Sequence, residues 1–254
     1  VRQWLCSLSP RPQELIEPFA GGAIVGLTAV FENLVERVTL VELDDDVAAV
    51  WDVILNGDGA KLADDIARFE LSQERLRSAL ATPPRSTYER AFTTILKNRV
   101  QRGGILAPGA SLMKLGENGR GVFSRWYPET LRRRILAIVG IKNRISFVHG
   151  DGMDFVRRNA ARRDVAYFID PPYTVAGKRL YAHSIIDHRA LFELAATFTG
   201  DWLMTYDDAG EIRHLAAEHG FEIHEIAMKN THHARKIELL VGRDLSWARP
   251  WTLF

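Results

Sequence analysis

The sequence predicts an α/β fold with a doubly wound, mostly parallel seven-stranded sheet, and three observations carry that expectation. Seven short apolar runs read as strands, and five of them lead into helix-like or turn segments, the alternation of a parallel α/β sheet. The last two are joined by a short polar link around Asn230 and His232, too short for a parallel crossover, so they pair antiparallel as a terminal hairpin. At 254 residues, 46% hydrophobic and 26% charged, the chain is long enough for one globular domain carrying an insertion.

In chain order the expected strands are Glu14 to Pro18, Val38 to Leu43, Ile145 to His149, Val165 to Ile169, Asp201 to Thr205, Phe221 to Met228 and Ile237 to Val241. Helical periodicity falls between them in Ala48 to Ile54, Leu131 to Val139, His188 to Phe198 and Gly210 to His219. No strand of this series is legible from Leu55 to Gly140, which reads as an insertion after the second strand. Two parts follow: residues 1–55 with 141–254, and an inserted region over 56–140. No apolar run approaches about 18 residues, and Val1-Arg2-Gln3-Trp4 lacks a signal-peptide layout. A cytoplasmic protein with no membrane contact is expected. The single Cys6 excludes an internal disulfide and is expected to be an inert apolar residue.

Charge is segregated along the insertion. The stretch around Ala60 to Leu80 reads as a mixed-charge helical segment, whereas from Arg85 to Arg144 thirteen cations face Glu89, Glu117 and Glu129. Such an excess suits a polyanion. Glycines at 103, 104, 109, 116, 119 and 121 give that segment a loop able to approach a backbone. Lys97, Arg99, Arg102, Lys114, Arg120, Arg125, Arg132 and Arg133, interleaved with Trp126 and Tyr127, are candidate nucleic-acid contacts, phosphates to the cations and bases to the rings. The competing reading makes Trp126 and Tyr127 ordinary core residues.

Candidate chemistry collects at strand ends, where doubly wound sheets bind ligands. Glu17-Pro18-Phe19-Ala20-Gly21-Gly22 forms a glycine-rich strand-to-helix turn. The second strand closes on Glu42-Leu43-Asp44, about twenty residues on, where an acid can hold ribose hydroxyls. The glycine spacing is wrong for a pyrophosphate cradle, so an adenosine-containing ligand without pyrophosphate fits better. Asp151 and Gly152 follow the third strand, and Asp151 suits an adenine amine. Helix capping competes as an account of Asp46 and Asp154. After the fourth strand comes Asp170-Pro171-Pro172-Tyr173. Its prolines keep the chain out of helix, leaving a carboxylate, a carbonyl and a ring to grip a nucleobase by edge and face. His232 and His233 read as a solvated turn, so no metal is expected, and Arg235 and Lys236 beside them as a phosphate or cofactor contact.

With these motifs in this order, the chain resembles the N6-adenine DNA methyltransferases of the Dam type. The resemblance implies a Rossmann-like methyltransferase sheet, S-adenosylmethionine as cofactor and residues 56–140 as a DNA-recognition region. It implies that Glu17, Phe19 and Gly21 line the methionine part of the cofactor, that Glu42 holds the ribose and Asp151 the adenine, and that Asp170 and Tyr173 act on a flipped-out adenine. Double-stranded DNA, a partner endonuclease of a restriction-modification pair, a monomeric state and a bacterial, archaeal or phage origin come with it. The chain departs from that pattern at Ala23, where the family has glycine, and lacks the family's Gly-Gly-Lys segment before the first strand, so that either the amino terminus is trimmed or the cofactor site is more open. Two alternatives compete: an RNA N-methyltransferase, and a DNA-binding protein that has lost catalysis on the same scaffold.

Overall fold

The computed structural model describes residues 1–106, 110–114, 119–172, 186–229 and 235–248. Tyr173, Gly109, Gly116, Glu117, His232 and His233 lie outside them. All seven expected strands are present: β1 (Glu14–Glu17), β2 (Arg37–Glu42), β3 (Ile145–His149), β4 (Val165–Ile169), β5 (Asp201–Asp207), β6 (Glu222–Lys229) and β7 (Arg235–Gly242). They form one sheet in the order β3-β2-β1-β4-β5-β7-β6. β1 pairs parallel with β2 and β4, β4 pairs parallel with β5, and β7 runs antiparallel between β5 and β6. Strand β5 runs longer than expected because its register with β7 carries on to Asp207 opposite Glu238, and β7 because its pairing with β6 carries on to Arg235 opposite Lys229.

Helices α1 (Arg2–Ser7), α2 (Ile24–Phe31), α3 (Asp45–Leu55), α4 (Gly59–Arg68), α5 (Gln73–Ala81), α6 (Thr87–Val100), α7 (Pro128–Gly140), α8 (Gly152–Asn159), α9 (His188–Thr197) and α10 (Gly210–Glu218) complete the framework. The mixed-charge stretch expected as one helical segment is two helices. The Ser72 side chain accepts the Arg75 amide and starts α5 afresh, the usual work of a serine N-cap. Cys6, expected among apolar residues, is exposed on α1. No helix among the described residues is long and apolar enough to cross a membrane.

The chain packs as two compact units, residues 1–42 with 150–172 and 186–248, and residues 43–149. In the first, all five residues of β4 are buried, as expected of a parallel strand covered on both faces. Tyr167 and Ile169 join Ile16, Leu191, Phe192, Trp202, Met204, Tyr206 and Leu239 in its core. In the second, α3 packs on α6 and α4 on α7, and Leu76, Leu96, Val100 and Val122 form a smaller core with Phe69, Phe92 and Trp126 against it.

Candidate active site

The carboxyl ends of β1, β2 and β4, with the start of α8, bring the sequence-predicted acids of the first unit to one edge of the sheet. The turn after β1 is held from two sides. The Gly21 amide donates to Glu42 Oε2 over 2.8 Å, and the Ala20 amide donates to the Val41 carbonyl over 3.0 Å. Gly21 has φ +47°, as has Ala23, the residue before α2. A Cβ on Gly152 would overlap the Pro18 carbonyl oxygen, so α8 can start against this turn only because residue 152 is glycine.

Glu17 is buried, and its Oε1 accepts the Gly26 amide in the first turn of α2. Burial, and less strongly the charge of Asp170, push its carboxyl up to about 8 against the helix amide that favours ionisation. At neutral pH Glu17 is therefore protonated. The resemblance gives Glu17 to the cofactor's methionine part; the structure places it under α2 as the anchor of the turn. That anchor has a consequence for ligand choice. In dinucleotide-binding folds the first amides of this helix receive a pyrophosphate, and here a carboxyl group already takes one of them.

At the end of β4, Thr205 Oγ1 donates to Asp170 Oδ1 over 2.7 Å. Ile169 stands opposite Met204 in the parallel register, which makes Asp170 and Thr205 neighbours one step on. Asp170 is exposed, Pro171 buried and Pro172 half-buried. Thr205 is the site residue that sequence reasoning missed. The signal was the register, which needs the pairing of two strands and not one motif.

Capping falls on different acids from those expected. Asp151 is the N-cap of α8 and accepts the Asp154 amide over 2.9 Å. Asp44 caps α3, taking the amides of Asp46 and Val47. Asp46 instead faces Arg90 and Lys97, 3.4 Å from each, and Asp154 pairs with Arg157. Leu43 is exposed beside the Asp44 cap. Phe19 is partly buried against the first unit's core, and Gly22 is exposed, with open space where a Cβ would stand.

The proposed stacking pair divides in the second unit. Trp126 packs edge-on against Phe69, with ring centroids 5.8 Å apart, and is committed to the small core. Tyr127 is 51% exposed. Of the candidate cations, Lys97 is tied to Asp46 and Arg132 to Asp64. Arg133 reaches Thr130 at 3.5 Å. Arg102, Lys114 and Arg120 are exposed, and Arg99 and Arg125 half-buried.

These features define a class. A parallel sheet closed by an antiparallel β6–β7 pair, with acids at the strand ends and a helix start already capped by a carboxyl, is the Rossmann-like methyltransferase fold. The residues fit S-adenosylmethionine: Glu42 and Asp151 suit a ribose and an adenine amine, and the acidic edge suits a sulfonium and disfavours a pyrophosphate.

No family model and no curated protein matches the chain. Solved structures do. M. capricolum TrmK in complex with S-adenosyl-homocysteine matches at 7% identity and TM-score 0.43, over 96% of this chain and 67% of its own. The tRNA methyltransferase TrmK of B. subtilis matches at 10% identity and TM-score 0.40, over 94% and 63%. The rRNA methyltransferase aviRa of Streptomyces viridochromogenes matches at 14% identity and TM-score 0.37, over 97% and 83%. The expectation of a Dam-type DNA adenine methyltransferase is corrected by these matches: the nucleic acids that they name are tRNA and rRNA, and the restriction-modification setting goes with it.

Proposed function

We propose that the chain is an S-adenosylmethionine-dependent methyltransferase acting on a base nitrogen in RNA. The observation that carries this reading is the end of β4, where an exposed Asp170 carboxylate is held by Thr205 and followed by two prolines. The cofactor, when bound, supplies a methyl group already activated on a sulfonium. The chain's own residues supply alignment and proton management. Asp170 accepts a hydrogen from the target nitrogen, and the Pro171 carbonyl accepts a second. The nitrogen lone pair is thereby freed toward the methyl group, and the proton displaced on methylation leaves through Asp170 to water. Glu17, its carboxyl pushed up to about 8 by burial, is neutral at pH 7 and adds no charge to the site.

Two features support RNA as the substrate. The second unit carries an excess of cations suited to phosphates. Its exposed Tyr127 offers a ring face to an unstacked base, which RNA presents in loops and ends without a duplex being opened.

The test is methyl transfer from labelled S-adenosylmethionine to bulk RNA and, in parallel, to unmethylated DNA, with nucleoside analysis of both. Label in an N-methylated ribonucleoside that vanishes in Asp170→Ala is expected. Label in DNA alone, or label that survives the substitution, rejects the reading.

A further inference from the structure

Several cations of the second unit are already answered by acids. Arg90 and Lys97 share Asp46, Arg132 meets Asp64 at 2.8 Å, and Arg85 meets Glu89 at 3.1 Å. Arg99 and Arg125 stand apart because they lie together at the end of α6. Among the described residues, no hydrogen bond or ion pair joins either to a partner. We propose that Arg99 and Arg125 form a phosphate-binding site on the second unit, which takes a backbone phosphate of the RNA substrate.

The geometry places Arg99 and Arg125 together. Arg99 lies in the last turn of α6, and Arg125 ends the short 3-10 turn Gly121–Arg125 that packs on that helix. A Cβ on Gly104 would stand 3.2 Å from Arg125 Nη2 and 3.0 Å from Asn98 Nδ2, so the Arg125 guanidinium reaches the end of α6 beside the residue preceding Arg99. Burial, then the charges of Arg125 and Arg134, push the Arg99 guanidinium down from its usual range.

The polar atoms around them are also unmet. Arg99 Nε, Thr94 Oγ1 and Ser124 Oγ, which can donate to an anion, are buried without partners, and all three belong to α6 or the 3-10 turn. A folded chain seldom keeps such groups unmet. Clustered guanidiniums lose their mutual repulsion when an anion enters, and their planar forks match phosphate oxygens two at a time. The source of the phosphate, RNA, rests on the function proposed above; the anion site does not.

The experiment measures melting at constant ionic strength with chloride exchanged for inorganic phosphate, on wild type, Arg99→Gln and Arg125→Gln. Phosphate is expected to raise the wild-type Tm. Arg125→Gln is expected to melt higher than wild type in chloride, because a repulsion is gone, and to gain less than half the phosphate shift. With a short single-stranded RNA followed by fluorescence anisotropy, each variant is expected to bind about tenfold more weakly and to lower the salt slope by about 0.7. Arg85→Gln, which removes an ion-paired cation, leaves that slope unchanged. A phosphate shift absent from wild type, or equal in all three proteins, overturns the site. A shift lost in the variants with RNA binding untouched keeps the anion site and overturns RNA as its source. Failure of RNA methylation with the phosphate response intact counts against the proposed function alone.

Discussion

Glu17 carries a pH dependence that its surroundings set. Its carboxyl, pushed from 4.5 to about 8 by burial, keeps its proton in the folded chain at a pH where the unfolded chain has lost it. Between those two values the folded state binds more protons, so stability falls as pH rises, by about 1.4 kcal/mol per pH unit, and levels off above about 8. Glu17→Gln retains an oxygen for the Gly26 amide and removes the titration. Urea unfolding at pH 5, 6.5 and 8 is expected to show the wild type losing stability across the series and the variant staying level; parallel losses would refute the assignment. Thr205 acts one step from the chemistry. Its hydroxyl holds Asp170 Oδ1, and a hydrogen bond to a charged group contributes about 1.5 kcal/mol or more. Thr205→Val is therefore expected to lower kcat about tenfold with KM for S-adenosylmethionine unchanged. A change in KM alone would place Thr205 in cofactor binding instead.

The β1 to α2 turn and the start of α8 are elements fitted at close quarters, and two glycines permit it. A Cβ on Gly26 would lie 2.6 Å from Val38 Cγ2 and would press on Glu17 Oε1; one on Gly152 would meet backbone. Overpacking of this kind costs about 1 to 3 kcal/mol. Gly26→Ala is expected to lose that much in denaturant unfolding, and Gly152→Ala at least as much, because a carbonyl cannot turn aside as a side chain can. Unchanged midpoints would mean that the turn is looser than its geometry. Ala23 is the opposite case, an L-residue in the left-handed region at φ +47°, where the conformation costs roughly 1 to 2 kcal/mol. The strand framework around these turns was legible in the sequence because buried parallel strands are continuous apolar runs, Val165 to Ile169 above all. The role of the acids after them was less so. Aspartate suits both a helix cap and a ligand hydroxyl, so Asp44 and Asp151 read as binding residues and proved also to start α3 and α8.

At the scale of the whole molecule, the segregation of charge was visible in the chain, whereas its pairing was not. Asp46 answers Lys97 across 51 residues and Asp64 answers Arg132 across 68, separations that no local pattern encodes. The same holds at the amino-terminal end of β1. Buried Glu14 accepts from Thr39 Oγ1 and from Arg162 Nη2, the latter at 2.7 Å. Arg162 also reaches Asp164 at 2.6 Å, and these partners hold its guanidinium above the usual arginine range. Glu14 opens β1 and Glu17 closes it, so this network lies at the strand end opposite Asp170 and Glu42. Arg162→Met would leave a buried carboxylate without its nearer cation, Arg37 standing at 3.4 Å, and removal of one partner of such a pair typically costs about 3 kcal/mol or more. Replacing Glu14 by Gln in the same chain removes the stranded charge and is expected to restore most of the loss. Methyl transfer measured well below the melting transition should be the same in all three proteins. A double variant no more stable than Arg162→Met would show that the guanidinium acts by packing and not by charge, and a loss of turnover in the cold would show that the two ends of β1 are coupled.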